Sequence, residues 1–127
     1  MGELQRILYV EDDPGIREIV TVSLTTLGGM NVLACASGEE ALARAERYEP
    51  DLLLLDYMMP DMDGVSTLQA LRQLPATAQS PAIFVTAVTP GTLPLEREKL
   101  GVIGLISKPF DPFEMPNMLL SAWQKQS

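Results

Sequence analysis

The chain has no histidine, a single cysteine, and only nine basic residues against seventeen acidic ones. Each scarcity removes a class of explanation. Without histidine, a metal site here would be built from oxygen donors, which suit magnesium rather than zinc. One cysteine cannot form a disulfide within the chain, and Cys35 lies in the apolar run NVLACA, so a buried structural thiol in a reducing, cytoplasmic setting is expected. The net charge of -8 repels nucleic acid and predicts no direct contact with DNA or RNA. No apolar run approaches the roughly 18 residues that a membrane-spanning helix needs, and no basic segment followed by an apolar one opens the chain. A soluble protein whose partners are proteins and cations is the expectation. The 127 residues amount to one domain spanning 1–127, large enough for a real core.

What is present is an alternation. Residues 6–10, 31–35, 51–56, 82–86 and 102–106 are short runs rich in Ile, Val and Leu, as parallel strands covered on both faces should be. Helix-period segments lie between them. PGIREIVTVSLTTLG puts Ile16, Ile19, Val20, Leu24 and Leu27 on one face, with Asp13 as N-cap ahead of Pro14. SGEEALARAERYEP opens with a capping box from Ser37 to Glu40. GVSTLQALRQLP forms a third helix and DPFEMPNMLLSAWQKQ a fifth. The fourth is weak, because Pro90, Gly91 and Pro94 confine it to Pro94–Leu100. Five β-α units of this kind predict a doubly wound α/β fold, a single five-stranded parallel sheet with helices on both faces.

Such sheets hold ligands beyond the carboxyl ends of their strands. Polar residues gather there: Glu11 and Asp12 after the first strand, Asp56 ending the third, Thr86 ending the fourth, and Ser107 and Lys108 after the fifth. Taken singly, each has a plain explanation as a cap, a strand terminator or a surface charge. Together they do not. Two carboxylates about 4 Å apart repel by roughly 4 kcal/mol at an effective dielectric near 20, so this rim needs cations. Lys108 supplies one charge, and an all-oxygen site for a divalent ion, Mg²⁺ above all, supplies the remainder.

ILYVEDD, LLLLDYMMPDMDG, IFVTA and LISKPF, in this order, resemble the receiver domain of two-component response regulators over essentially the whole chain. The separations of 44 residues from Asp12 to Asp56 and 22 from Thr86 to Lys108 are similar to the family's as well. The resemblance implies a flavodoxin-like (βα)5 fold with strand order 2-1-3-4-5, and a phosphoryl group accepted at Asp56 from a histidine kinase or histidine phosphotransfer protein. It makes Glu11 and Asp12 the acidic pair, with Asp12, Asp56 and the backbone carbonyl of Met58 as direct Mg²⁺ ligands and Glu11 acting mainly through a metal-bound water. It assigns Lys108 to the Asp56 carboxylate and then to the phosphoryl group, beside the Thr86 hydroxyl and the Ala87 amide. It also implies a cis Lys108–Pro109 peptide, and a loop shaped by Pro60 and Gly64. Met58 and Val88 would flank the hydrolytic water without orienting it. The switch would involve Thr86 and position 105, where the family's aromatic residue is replaced by Leu105, so that signalling falls on 88–100 and on the face of the fourth helix, fifth strand and fifth helix. An unidentified downstream protein would read that face.

Rival readings fit less well. A haloacid-dehalogenase-type phosphatase needs an acid at position 58, which is methionine. A flavodoxin needs a phosphate loop rich in Ser and Thr after the first strand, and an acidic loop stands there instead. A receiver-like module that only binds protein is the stronger alternative, but every site position carries the expected residue type. No output segment fits after the fifth helix, which leaves a single-domain regulator or a receiver cut from a longer protein.

Overall fold

Leu52–Asp56 forms the central strand, β3, and all five of its residues are buried. The computed structural model describes residues 3–59, 62–87 and 100–125. In chain order these give β1 (Arg6–Val10), α1 (Pro14–Val22) continued by a π-helical turn (Ser23–Leu27), β2 (Asn31–Cys35), α2 (Gly38–Tyr48), β3, α3 (Gly64–Leu71), a 3₁₀ turn (Pro75–Thr77), β4 (Ala82–Thr86), β5 (Val102–Ser107) and α4 (Met115–Lys125). The last is the fifth helix expected from the sequence. The fourth expected helix, with Val88, Pro90, Gly91 and Pro94, lies outside the described residues except for its final Leu100, as does Pro60.

All strand pairs are parallel, in the order β2-β1-β3-β4-β5. Alternation along each strand splits the core in two. Tyr9, Leu52, Leu54, Ile83, Val85 and Ile106 meet Val20, Leu24, Met115 and Leu119 from α1, its π turn and α4. Leu8, Val10, Leu53, Leu55 and Phe84 meet Ala41, Ala45, Leu68 and Leu71 from α2 and α3. Both faces are thus covered, which is why these strands read as continuous apolar runs. Each large side chain so buried contributes about 1.5–3 kcal/mol. Cys35 is buried among them, and burial pushes its thiol up to about 11.

Caps set the helix starts. Asp13 Oδ1 accepts from the amides of Gly15 (2.8 Å) and Ile16 (3.1 Å) with Pro14 at the first position, as expected. Ser37 Oγ accepts from the Glu40 amide at 3.1 Å, but the Glu40 carboxylate reaches back to the amide of Ala36, one residue earlier than a standard capping box.

Four expectations are corrected. The first helix does not keep one period to Leu27: it widens into the π turn, closed by the bond from Gly28 N to Ser23 O, and of its apolar stripe Val20 and Leu24 are buried while Ile19 and Leu27 are more than half exposed. The last helix begins at Met115, not Asp111, because Asp111 accepts from the Phe113 amide through its carboxylate and from the Glu114 amide through its carbonyl, closing a turn ahead of the helix. The third strand starts at Leu52, since the Asp51 carboxylate instead clasps the amides of Gln5 and Arg6 at the head of β1, and the fifth runs on to include Ser107.

Candidate functional site

Strand order reverses between β1 and β3: β2 lies on one side of β1 and β3 on the other. At this switch point the chain leaves β1 through Glu11 and Asp12, while β3 ends in Asp56. The Glu11 amide bonds the Cys35 carbonyl at 3.0 Å, so the ladder to β2 carries one residue past β1 and fixes where Glu11 starts. On the other side Asp56 pairs in register with Val85, and the Tyr57 amide bonds the Val85 carbonyl at 2.9 Å. The chain then folds back so closely that the Gly64 amide reaches the Tyr57 carbonyl at 3.0 Å. A Cβ on Gly64 would stand 2.6 Å from the Asp56 carbonyl oxygen and 2.8 Å from a ring carbon of Phe84. Glycine is there to let that turn approach β3.

These placements bring one carboxylate oxygen each from Glu11, Asp12 and Asp56 to within 4.8 Å of one another. Glu11 and Asp56 are buried and Asp12 is exposed, so the cluster opens to solvent on the Asp12 side. From the far edge β5 delivers Lys108, whose amide bonds the Thr86 carbonyl at 2.8 Å. Its Nζ stands 3.3 Å from Asp56 Oδ1 and 3.6 Å from Glu11 Oε1. The Lys108–Pro109 peptide is cis, as expected. Thr86 is buried at the end of β4 and Ala87 is exposed just beyond it. Met58 is 65% exposed and is tied to the site by its amide, 3.4 Å from Asp56 Oδ1. Leu105 is half-buried and packs with the Phe84 cluster.

Charge does not balance in this arrangement: among the described residues three carboxylates face one ammonium. Glu11 records the imbalance. Burial, then the neighbouring Asp56 carboxylate, push its carboxyl up to about 7, against smaller opposing pulls from the Asp13 amide and Lys108. Its Oε1 accepts no hydrogen bond, while Oε2 takes only the Asp13 amide at 3.3 Å. A buried carboxylate oxygen with no hydrogen bond, two neighbouring carboxylates and an all-oxygen donor set fit a small divalent cation, and Mg²⁺ by its preference for carboxylate and water.

Two participants have no signature in the sequence. Arg17, on α1, donates to the carbonyls of Glu11 and Asp12. Tyr9, fully buried on β1, is held in its neutral form by burial, with the charges of Glu11 and Asp56 adding to the effect.

The chain matches the family model described as response regulator receiver domain over residues 7–120. A probable transcriptional regulator, ycf27, of the alga Porphyridium aerugineum is 34% identical over 121 residues, which are 95% of this chain and 49% of the relative. The chain therefore spans about half the length of that curated relative. Among solved structures, the chemotaxis response regulator CheY4 of Vibrio cholerae superposes with a TM-score of 0.84 at 29% identity, covering 94% of this chain and 99% of the other. The receiver domain of sensor histidine kinase PA1611 from Pseudomonas aeruginosa, with a magnesium ion coordinated in its active site cleft, gives 0.76 at 31% identity, covering 95% and 98%.

Proposed function

This chain belongs to the response regulator receiver domain family, and from that premise we propose that residues 1–127 form a receiver whose Asp56 accepts a phosphoryl group from a histidine kinase or histidine phosphotransfer protein. The observation that carries the reading is the convergence of Glu11, Asp12, Asp56 and Lys108 at the switch point of the sheet. A carboxylate is a weak nucleophile toward an anionic phosphoryl group, so the site must supply position and charge more than a base. Asp56 Oδ attacks phosphorus, the bond from phosphorus to the donor imidazole nitrogen breaks, and the imidazole keeps the electron pair and is protonated. Lys108, already beside Oδ1, neutralises the acceptor and then a phosphoryl oxygen, as a point charge on a flexible stem can. Thr86 contributes its hydroxyl and Ala87 its amide to the remaining oxygens. Asp12, Asp56 and the Met58 carbonyl would hold Mg²⁺, with Glu11 acting mainly through a water, and the bound ion supplies the charge that lets acceptor and phosphoryl oxygens approach.

The receiver is a signalling domain whose self-catalysed steps serve switching. Its output is a change in protein contacts on the face that includes β5 and α4, and with a net charge of -8 the segment itself meets protein and not nucleic acid. Among the described residues no helix is long and apolar enough to cross a membrane, and the proposed site of action is the cytoplasm.

Incubation with acetyl phosphate and Mg²⁺, followed by intact-mass measurement, tests the reading. One phosphoryl group should add to the chain, none to Asp56→Asn, and none in EDTA. A labelled Asp56→Asn protein would overturn it. So would an unlabelled wild type, which would leave a receiver-like module that only binds protein. Thr86→Ala should still accept the group but lose the conformational response.

A further inference from the structure

Between β1 and α1 the chain has only Glu11, Asp12 and Asp13 in which to turn. Three anchors hold this turn. The Glu11 amide is bound to β2, and the Asp13 carboxylate is bound to the first amides of α1. The third anchor is Arg17. Its Nη1 donates to the Glu11 carbonyl at 2.8 Å and reaches the Asp12 carbonyl at 3.4 Å. Among the described residues its guanidinium forms no ion pair, so these two carbonyls are what it is there to hold. Fixing consecutive carbonyls fixes the peptide planes on either side of the Asp12 Cα and after that of Glu11. The direction in which each Cα–Cβ bond leaves the chain follows. It is this direction that brings both carboxylates to the Asp56 oxygen.

We propose that Arg17 is a positioning residue for divalent-cation binding, holding the Glu11 and Asp12 carboxylates in register through their own backbone carbonyls while touching neither the cation nor Asp56. The inference rests on the metal site of the reading above and names the residue that sets its geometry.

Charge and position make opposite demands on Arg17, which renders the inference testable by sign. As a nearby positive charge, Arg17 repels a cation, and its removal should tighten binding. As a clamp it preorganises the ligands, and its removal should weaken binding, since partners that orient metal ligands are worth about tenfold or more in affinity. Mg²⁺ titration calorimetry on the full chain, beside urea unfolding of the same samples, separates the two. Arg17→Gln and Arg17→Ala should bind Mg²⁺ about tenfold more weakly under conditions where unfolding curves show them folded, and amide exchange at Asp12 and Asp13 should quicken. Arg17→Lys, which keeps a donor but not the fork, should fall between them and wild type. Unchanged or tighter Mg²⁺ binding by the folded variants overturns the proposal, as does a loss of stability with an unaltered dissociation constant. A wild-type chain that takes up no Mg²⁺ overturns the metal site itself, a failure that is distinguishable because it appears before any variant is made.

Discussion

The ammonium of Lys108 lies 3.3 Å from Oδ1 of Asp56, and its other carboxylate neighbour, Glu11, is at 3.6 Å. One cation therefore stands against two buried anions. Removing either partner should move stability in opposite directions. In metal-free buffer at pH 8, Lys108→Met should cost about 1–3 kcal/mol, because it leaves two buried carboxylates facing each other without compensation. Asp56→Asn should raise stability by on the order of 1 kcal/mol, since it removes like-charge repulsion while Lys108 keeps Glu11. Urea unfolding measures both, and a destabilised Asp56→Asn protein would contradict this account.

Glu11 gives the apo protein an unusual pH profile. Its folded-state pKa is raised to about 7 from an ordinary value of 4.5, so between these limits the folded chain holds a proton that the unfolded chain has released. Stability from this group is fully present below the unfolded value and is lost as pH rises through about 7. Wild type in EDTA should lose stability as the pH climbs from about 5 to 8, beyond what Glu11→Gln loses over the same window. Parallel profiles for the two proteins would remove Glu11 as the source.

Gly64→Ala tests the close turn behind Asp56. Its Cβ would meet the Asp56 carbonyl at 2.6 Å and the Phe84 ring at 2.8 Å, neither of which can withdraw without disturbing β3 or β4. A loss of about 2–4 kcal/mol is expected from overpacking against backbone, together with slower labelling by acetyl phosphate. A variant as stable as wild type would show that the turn has room to spare.

Met58 is exposed beside Asp56, the proposed acceptor, and its side chain offers nothing to orient water. Met58→Asn should therefore shorten the lifetime of the Asp56 acyl phosphate, read as loss of label after removal of acetyl phosphate. An equal or longer lifetime would place control of hydrolysis elsewhere.

The strands and the acidic rim were legible in the sequence for one reason. A parallel sheet covered on both faces forces unbroken apolar runs, and Glu11, Asp12, Asp56, Thr86 and Lys108 each fall where such a run stops. The Asp13 cap was legible because Pro14 follows it. The π turn was not. Ile19 and Leu27 fit a straight helical stripe as well as Val20 and Leu24 do, and nothing in the residue types announces where the period widens. Arg17 stayed hidden because its acceptors are backbone carbonyls, which every residue carries. Glu40 was half legible: the box was foreseen, but not that its carboxylate would reach Ala36.

β3 is paired on both sides and buried from Leu52 to Asp56, while the edge strand β5 is half-buried from Ile103 to Leu105 and borders a groove of about 370 Å³ against α4. Asp56, the proposed acceptor, is thus mounted on a strand that is held along both edges and covered on both faces. Exposing it by local opening would break two ladders at once, at a cost close to that of unfolding the domain. A new charge placed there meets almost no compliance from below. The displacement it causes must pass sideways to parts held on one side only, and of the two edge strands, β2 and β5, it is β5 that carries Lys108 just past its end and so is tied to the site.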